Sequence, residues 1–199
     1  MMTTNRLEAF SDAVLAIIIT IMVLELKVPE GNDLQSLRPL APTFTTYILS
    51  FIYLGIYWSN HHHLIQASTS VNGKILWCNL HLLFWLSLLP FATGYMGENH
   101  FEKLPTALYG FVLLMSSIAW QILVYALQKN RSITTSVYAG YTGKLKVFSS
   151  IILYALATGL SFLNPIIAVC IYILVSVCWF IPDRNLKKNH SVVVEIKNE

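Results

Sequence analysis

Arg6, Glu8, Ser11 and Asp12 fall at the start of a long apolar run, Asn5 to Lys27. Further along, Trp58 precedes three adjacent histidines, His61, His62 and His63, and a lone Asn79 stands among leucines and aromatics. Asp12 with His61 could act as an acid–base pair or proton relay, or could coordinate an ion. The same groups could instead bond to one another and clamp helices together. The histidine triplet suggests a metal, but neighbours on a helix are about 100° apart and cannot all converge on one ion. Helical metal ligands recur at i, i+3 or i+4, so no metal site is expected. An enzyme would show paired carboxylates, a nucleophile with its base or a phosphate-binding glycine loop. None of these is read here, so no catalytic residue and no cofactor are expected.

The elements that must position these groups are membrane helices. The 199 residues are 55% hydrophobic and only 12% charged, against about 25% charged in a soluble domain. The net charge is +3 and no basic face is evident, which argues against nucleic acid. Cys78, Cys170 and Cys178 lie in apolar runs without metal-type spacing and read as small apolar side chains. At ~1.5 Å per residue, roughly 20 residues cross a bilayer core of about 30 Å. Six spans are expected, an all-α polytopic protein: roughly Leu7–Leu26, Pro42–Ile65, Lys74–Tyr95, Leu104–Leu127, Leu145–Phe162 and Ile166–Ile181. Residues 1–183 then form one transmembrane domain and 184–199 a polar cytoplasmic tail. The first run ends in Glu25-Leu26-Lys27 without an A-x-A-like site, so it reads as a retained span rather than a cleaved leader.

Lysine and arginine sort by side. With both termini inside, Arg6, Lys74, Lys129, Arg131, Lys144, Lys146, Arg184, Lys187, Lys188 and Lys197 are inner, whereas Lys27, Arg38 and Lys103 are outer. This ten-to-three bias places both termini in the cytoplasm of a cell-membrane protein. Asp12, Trp58, His61 and Asn79 then share one layer near the inner end. A buried network of Arg6, Ser11, Asp12, His61 and Asn79 is expected, with Trp58 donating its indole N–H. An unpaired ionisable group in a membrane helix costs about 2.5–3.5 kcal/mol on insertion scales, so Asp12 should face protein or water.

The first helix carries a second feature. Phe10, Ala13, Ile17, Thr20 and Leu24 follow steps of three and four and share one face, bordered by Ile21. Asp12 sits about 140° away from Ile17 around the helix. If Ile17 faces a central pathway, Asp12 faces its own subunit, which favours the clamp over a relay. Several copies of this stripe around an axis would stack rings of branched side chains that gate by dewetting. Such a ring would favour potassium over the more strongly hydrated sodium, and Thr20 hydroxyls would supply oxygen contacts. Thr93-Gly94-Tyr95-Met96-Gly97 has the wrong order for a carbonyl selectivity filter and reads as a helix end and turn.

Arg6-x-x-x-Phe10-Ser11-Asp12 resembles the first-helix signature of the transmembrane protein 175 family, the endosomal/lysosomal and prokaryotic potassium channels. Trp58-Ser59-Asn60-His61-His62-His63-Leu64 is similar to that family's tryptophan–histidine segment. Asn79 with Leu88-Leu89-Pro90-Phe91 is similar to its third-helix pattern. The resemblance covers the first half of the chain. It implies a prokaryotic six-helix subunit that assembles as a homotetramer in the lipid bilayer. It also implies leak conduction of potassium, the permeating ion rather than a cofactor, with the pore lined by the first helix. Ile17, Thr20, Ile21 and Leu24 would then line the pore. Arg6, Phe10, Ser11, Asp12, Trp58, His61 and Asn79 would hold the pore helix in place. The competing readings are a secondary transporter or proton-coupled carrier using Asp12 and His61, and a membrane scaffold or membrane-bound enzyme with no conduction.

Overall fold

The computed structural model describes residues 3–135, 137–138 and 144–180. The tail expected over 184–199 lies outside these residues, as does part of the linker before the fifth span. The described residues are helical, without strands: α1 (Thr4–Leu24), α2 (Ala41–Gln66), α3 (Gly73–Ser87), α4 (Leu89–Glu98), α5 (Lys103–Lys129), α6 (Lys144–Leu160) and α7 (Pro165–Phe180). A short 3-10 turn, Arg38–Leu40, leads into α2.

The helices α3 and α4 together make the third expected span, which breaks at Leu88. Pro90 causes the break: it has no N–H to offer, and its ring clashes with the carbonyl one turn earlier. The chain tightens there, with Leu88 N–H donating to Trp85 O at 3.2 Å, and restarts with Ala92 N–H donating to Leu88 O at 3.0 Å. Four stretches are long and apolar enough to cross a membrane: Thr4–Leu24, Arg38–Gln66, Gly73–Glu98 and Lys103–Lys129. The last two helices are shorter as described, with 17 and 16 residues, or about 25 Å each.

Where a turn was expected at Thr93–Gly97, the helix continues. α4 closes only after Glu98, with Phe101 N–H donating to Met96 O at 3.0 Å and His100 N–H to Gly97 O at 3.1 Å. His100 adopts φ 50°, the left-handed step of a Schellman closure. α5 closes the same way at Arg131 (φ 55°), with Ser132 N–H on Leu127 O. At the start of α3, Asn72 caps the helix by accepting Ile75 N–H at 3.0 Å.

α5 is the hub. It packs against α3, α4, α6 and α7, and Tyr109, Leu113, Trp120, Leu123 and Leu127 are buried along it. Gly110 permits the closest approach: a Cβ there would overlap the Tyr172 hydroxyl of α7 and crowd Thr158 of α6. Polar contacts hold the half that contains the start of α2 and the end of α4. Ser50 shares hydrogen bonds with Thr93 (2.6 Å) and Tyr109 (3.0 Å), and Thr46 donates to Thr93 O at 3.2 Å. Membrane helices use such contacts because lipid provides no hydrophobic force between them. α1 lies to one side, packed on α2, α3 and α4.

Candidate functional site: the two faces of α1

α1 has one face in the subunit and one outside it. Leu7, Ser11, Leu15, Ile18 and Met22 are buried; their spacing of three and four is one helical stripe. Phe10, Ala13, Ile17, Thr20, Ile21 and Leu24 are exposed, Ile17 at 56% and Leu24 at 81% of their surface. The stripe read from the sequence is therefore an exposed face of α1, uncovered by the described residues. Thr20 Oγ1 donates to Ile17 O at 2.8 Å, which uses its one proton and leaves its lone pairs outward. Beside this face a groove runs between α1 and α4, lined by Val14, Ile17, Ile21, Pro90, Phe91 and Tyr95 among others. Glu25 and Glu98 sit at its outer end, where Glu98 pairs with Lys27 at 2.6 Å.

The buried face carries the polar layer. Ser11 Oγ donates to Leu7 O at 2.9 Å and accepts Asn79 Nδ2 at 2.9 Å. Asn79 Oδ1 lies 2.7 Å from His61 Nε2. A carbonyl oxygen only accepts, so this bond places the proton on His61 Nε2. All three residues are buried, so three helices are joined by a continuous hydrogen-bonded chain near the N-terminal end of α1. His61 Nδ1 has no hydrogen-bond partner among the described residues. Losing the central amide would strand His61 Nε2, at about 1–3 kcal/mol for a buried group left unpaired, and would leave Ser11 Oγ with only its bond to Leu7 O.

Asp12 belongs to a second chain of contacts, not to the first. Its Oδ1 accepts the Trp58 indole N–H at 3.1 Å, as the sequence suggested for Trp58. Arg6 is exposed and takes no part in either set among the described residues, which corrects the expected five-member network. The reason is angular. Arg6 lies five residues before buried Ser11 and so about 140° around the helix from it. Phe10, also assigned to the structural signature, sits 46% exposed on the outward stripe.

Glu8 and His62 are named in the sequence reading, but neither is paired there or given a role. Glu8 Oε1 lies 2.7 Å from His62 Nδ1, with the Glu8 side chain 17% and the His62 side chain 34% exposed. The signal was present. Glu8 and Asp12 are four apart on α1, and Trp58 and His62 are four apart on α2. In two antiparallel helices these pairs meet in reverse order, Glu8 on His62 and Asp12 on Trp58. Glu8 and Asp12 are thus the paired carboxylates that the sequence reading did not find. The histidine triplet divides as its 100° spacing requires: His61 turns inward to Asn79, and His62 turns to α1 and stacks near Trp58 with ring centroids 6.1 Å apart.

The first half of the chain, which carries both faces of α1 and its polar partners, matches a family. The model for "Endosomal/lysosomal potassium channel TMEM175" matches residues 6–90. A protein named as a potassium channel from Chryseobacterium sp. (strain P1-3) is 54% identical over 188 residues, covering 94% of this chain and 98% of that protein. The human protein named as the endosomal/lysosomal proton channel TMEM175 is 24% identical over 179 residues, covering 81% of this chain but 36% of the human protein. A crystal structure of a lysosomal potassium-selective channel TMEM175 homolog from Chamaesiphon minutus superposes with a TM-score of 0.78. It is 26% identical, and the match covers 88% of this chain and 95% of that one. With its six apolar helical segments and a full-length relative at this identity, the chain belongs to the TMEM175 family.

Proposed function

We propose that this protein is a potassium-selective cation channel of the cell membrane, assembled as a homotetramer with α1 of each subunit around the conduction path. One observation carries the reading. α1 is a membrane-length helix whose outward stripe of Ile17, Thr20, Ile21 and Leu24 is exposed among the described residues of its own subunit, while its opposite face is fixed by Ser11, Asn79 and His61. A helix clamped on one side and bare on the other suits a pore wall. The relatives named as potassium channels, and the potassium-selective title of the matched structure, support the choice of ion.

Rings of Ile17, Ile21 and Leu24 would form apolar constrictions that wet only when widened. The layer of Thr20 oxygens, whose protons are committed to the backbone, would offer acceptor contacts to a partly dehydrated cation. Potassium gives up water more readily than sodium, so it passes the constriction more easily. Thr93–Gly97 is helical, so this segment offers no carbonyl filter. The inner end carries the basic excess, so both termini are assigned to the cytoplasm. Asp12 bonds Trp58, whereas His61 bonds Asn79; a carrier that shuttles protons between Asp12 and His61 would need them joined.

The test is ion flux in proteoliposomes driven by potassium or sodium gradients, with wild type beside Ile17→Asn. Passive flux that favours potassium, with the preference changed by Ile17→Asn, is expected. Absence of flux for either ion from correctly folded protein would overturn the channel. Light scattering of detergent-solubilised protein should give four copies per particle; a stable monomer would remove the pore.

A further inference from the structure

Glu8 and Asp12 on α1 and His62 on α2 each present one donor atom, and the three atoms lie within 4.8 Å of one another. We propose that they form a binding site for a divalent transition-metal ion of the zinc class, joining α1 to α2 at the inner end of the subunit.

The donor set selects the ion. One imidazole nitrogen with two carboxylates suits zinc and its neighbours, whereas calcium and magnesium take oxygen ligands. Three protein ligands also leave a coordination position for water. Two donors on one tetrahedral zinc stand about 3.3 Å apart, from metal–ligand lengths of roughly 2.0–2.1 Å. Glu8 and His62 are already at 2.7 Å, so an ion enters by modest rotation of side chains on two rigid helices.

Charge provides an independent argument. Glu8 is mostly buried beside Asp12, and like charges at i, i+4 repel. Among the described residues neither carboxylate is paired with a lysine or arginine, and exposed Arg6 lies about 160° around α1 from Glu8. His62 supplies at most one positive charge and only when protonated. A dication neutralises both carboxylates while His62 binds in its neutral form. Asp12 is already oriented from behind by the Trp58 N–H, the kind of outer contact that fixes a ligating carboxylate. His62 remains one-third exposed, so an ion can reach the site from the aqueous side. Binding stands apart from the channel reading; only an effect on conduction would rest on it, through the anchoring of α1.

The experiment is zinc titration by calorimetry into purified protein without a histidine tag, comparing wild type with Glu8→Gln, His62→Gln and His63→Gln. Wild type and His63→Gln should bind one ion per chain. Glu8→Gln and His62→Gln should each weaken binding by about tenfold or more, the scale seen even for outer-contact losses at metal sites. A readout on unmutated protein guards against misfolded variants: zinc should protect His62 from acylation by diethyl pyrocarbonate, followed by mass spectrometry. No zinc binding, equal affinity in all four proteins, or modification of His62 at the same rate with and without zinc would each overturn the site.

Discussion

α1 and α5 are both apolar helices of membrane length, yet they hold opposite places. In the most apolar 18-residue window of α5, 61% of the residues are buried within the subunit; in that of α1 the share is 28%. α5 touches most of the other helices and is packed on nearly every side. α1 is fixed along a single line by Leu7, Ser11, Leu15, Ile18 and Met22. Two helices of similar composition therefore differ in what their apolar surface is for. On α5 it is the subunit core. On α1 it is surplus, and an exposed apolar face on a helix anchored by buried polar bonds calls for lipid or further copies of the chain. The polar layer sharpens the contrast: nothing requires a lipid-facing helix to be clamped by three hydrogen-bonded residues, whereas a pore wall must keep its rotation.

That contrast predicts a graded set of effects. The largest should come from the hub. Gly110→Val places two methyl groups where Tyr172 and Thr158 already stand, and such overpacking costs about 1–3 kcal/mol or more. Little folded protein should survive detergent extraction, judged by size-exclusion chromatography; a normal yield would show that α5, α6 and α7 can separate freely.

Next comes the clamp. Asn79→Ala leaves buried His61 Nε2 unpaired and takes from Ser11 Oγ the donor it accepts, leaving only its bond to Leu7 O; it should lower stability by about 1–3 kcal/mol. The melting temperature should fall clearly while the subunit stays helical. An unchanged melting temperature would mean that the chain of bonds does not hold α1.

On the outward face the expectation reverses. Thr20→Val removes a hydroxyl bonded only to its own helix, so subunit stability should change by less than about 0.5 kcal/mol. The potassium-to-sodium flux ratio should nevertheless drop. If stability falls and the flux ratio does not, the stripe is a packing seam and the contrast between the helices is lost.

The smallest effect belongs to the outer rim. Glu98 raises the Lys27 pKa above its usual 10.5, mainly through their hydrogen bond. A raised lysine pKa stabilises the fold below pH 10.5 and loses that contribution as the pH climbs through the higher folded value. Lys27 is largely in solvent, where such pairs count for little. Glu98→Gln should leave the melting temperature at neutral pH unchanged; a clear drop would make the α1–α4 rim a structural contact rather than a solvated one.

Much of this arrangement is legible in the chain. Six apolar segments follow from run length, and the breaks between them from proline, glycine and polar clusters. The outward stripe of α1 follows from steps of three and four, because a helix repeats every 3.6 residues whatever surrounds it. Ser11, Asn79 and His61 could be placed in one layer from topology alone, since antiparallel spans bring equal depths together. Trp58 and Asp12 fall in that layer on the same grounds, but their bond to each other comes from the structure.

The remainder depended on azimuth and on pairing between helices, which no periodicity encodes. Arg6 and Ser11 are close in sequence but on different sides of α1, so only the packing of α1 excluded Arg6 from the buried layer. Pro90 announced a disturbance, but the backbone had to show that the third span divides into α3 and α4 and that Thr93–Gly97 stays helical. The meeting of Glu8 with His62 required the relative rotation of two helices. The sequence by itself determined which segments enter the membrane and which face of α1 is apolar, because local period and hydropathy are one-dimensional properties. Only the tertiary structure decided that α5 is the centre, that α1 stands at the side with its stripe uncovered, and that two carboxylates and an imidazole converge at its inner end. Those depend on contacts between residues far apart in the chain, Asp12 with Trp58 and Glu8 with His62 among them, and their free energy is gained only when the helices pack.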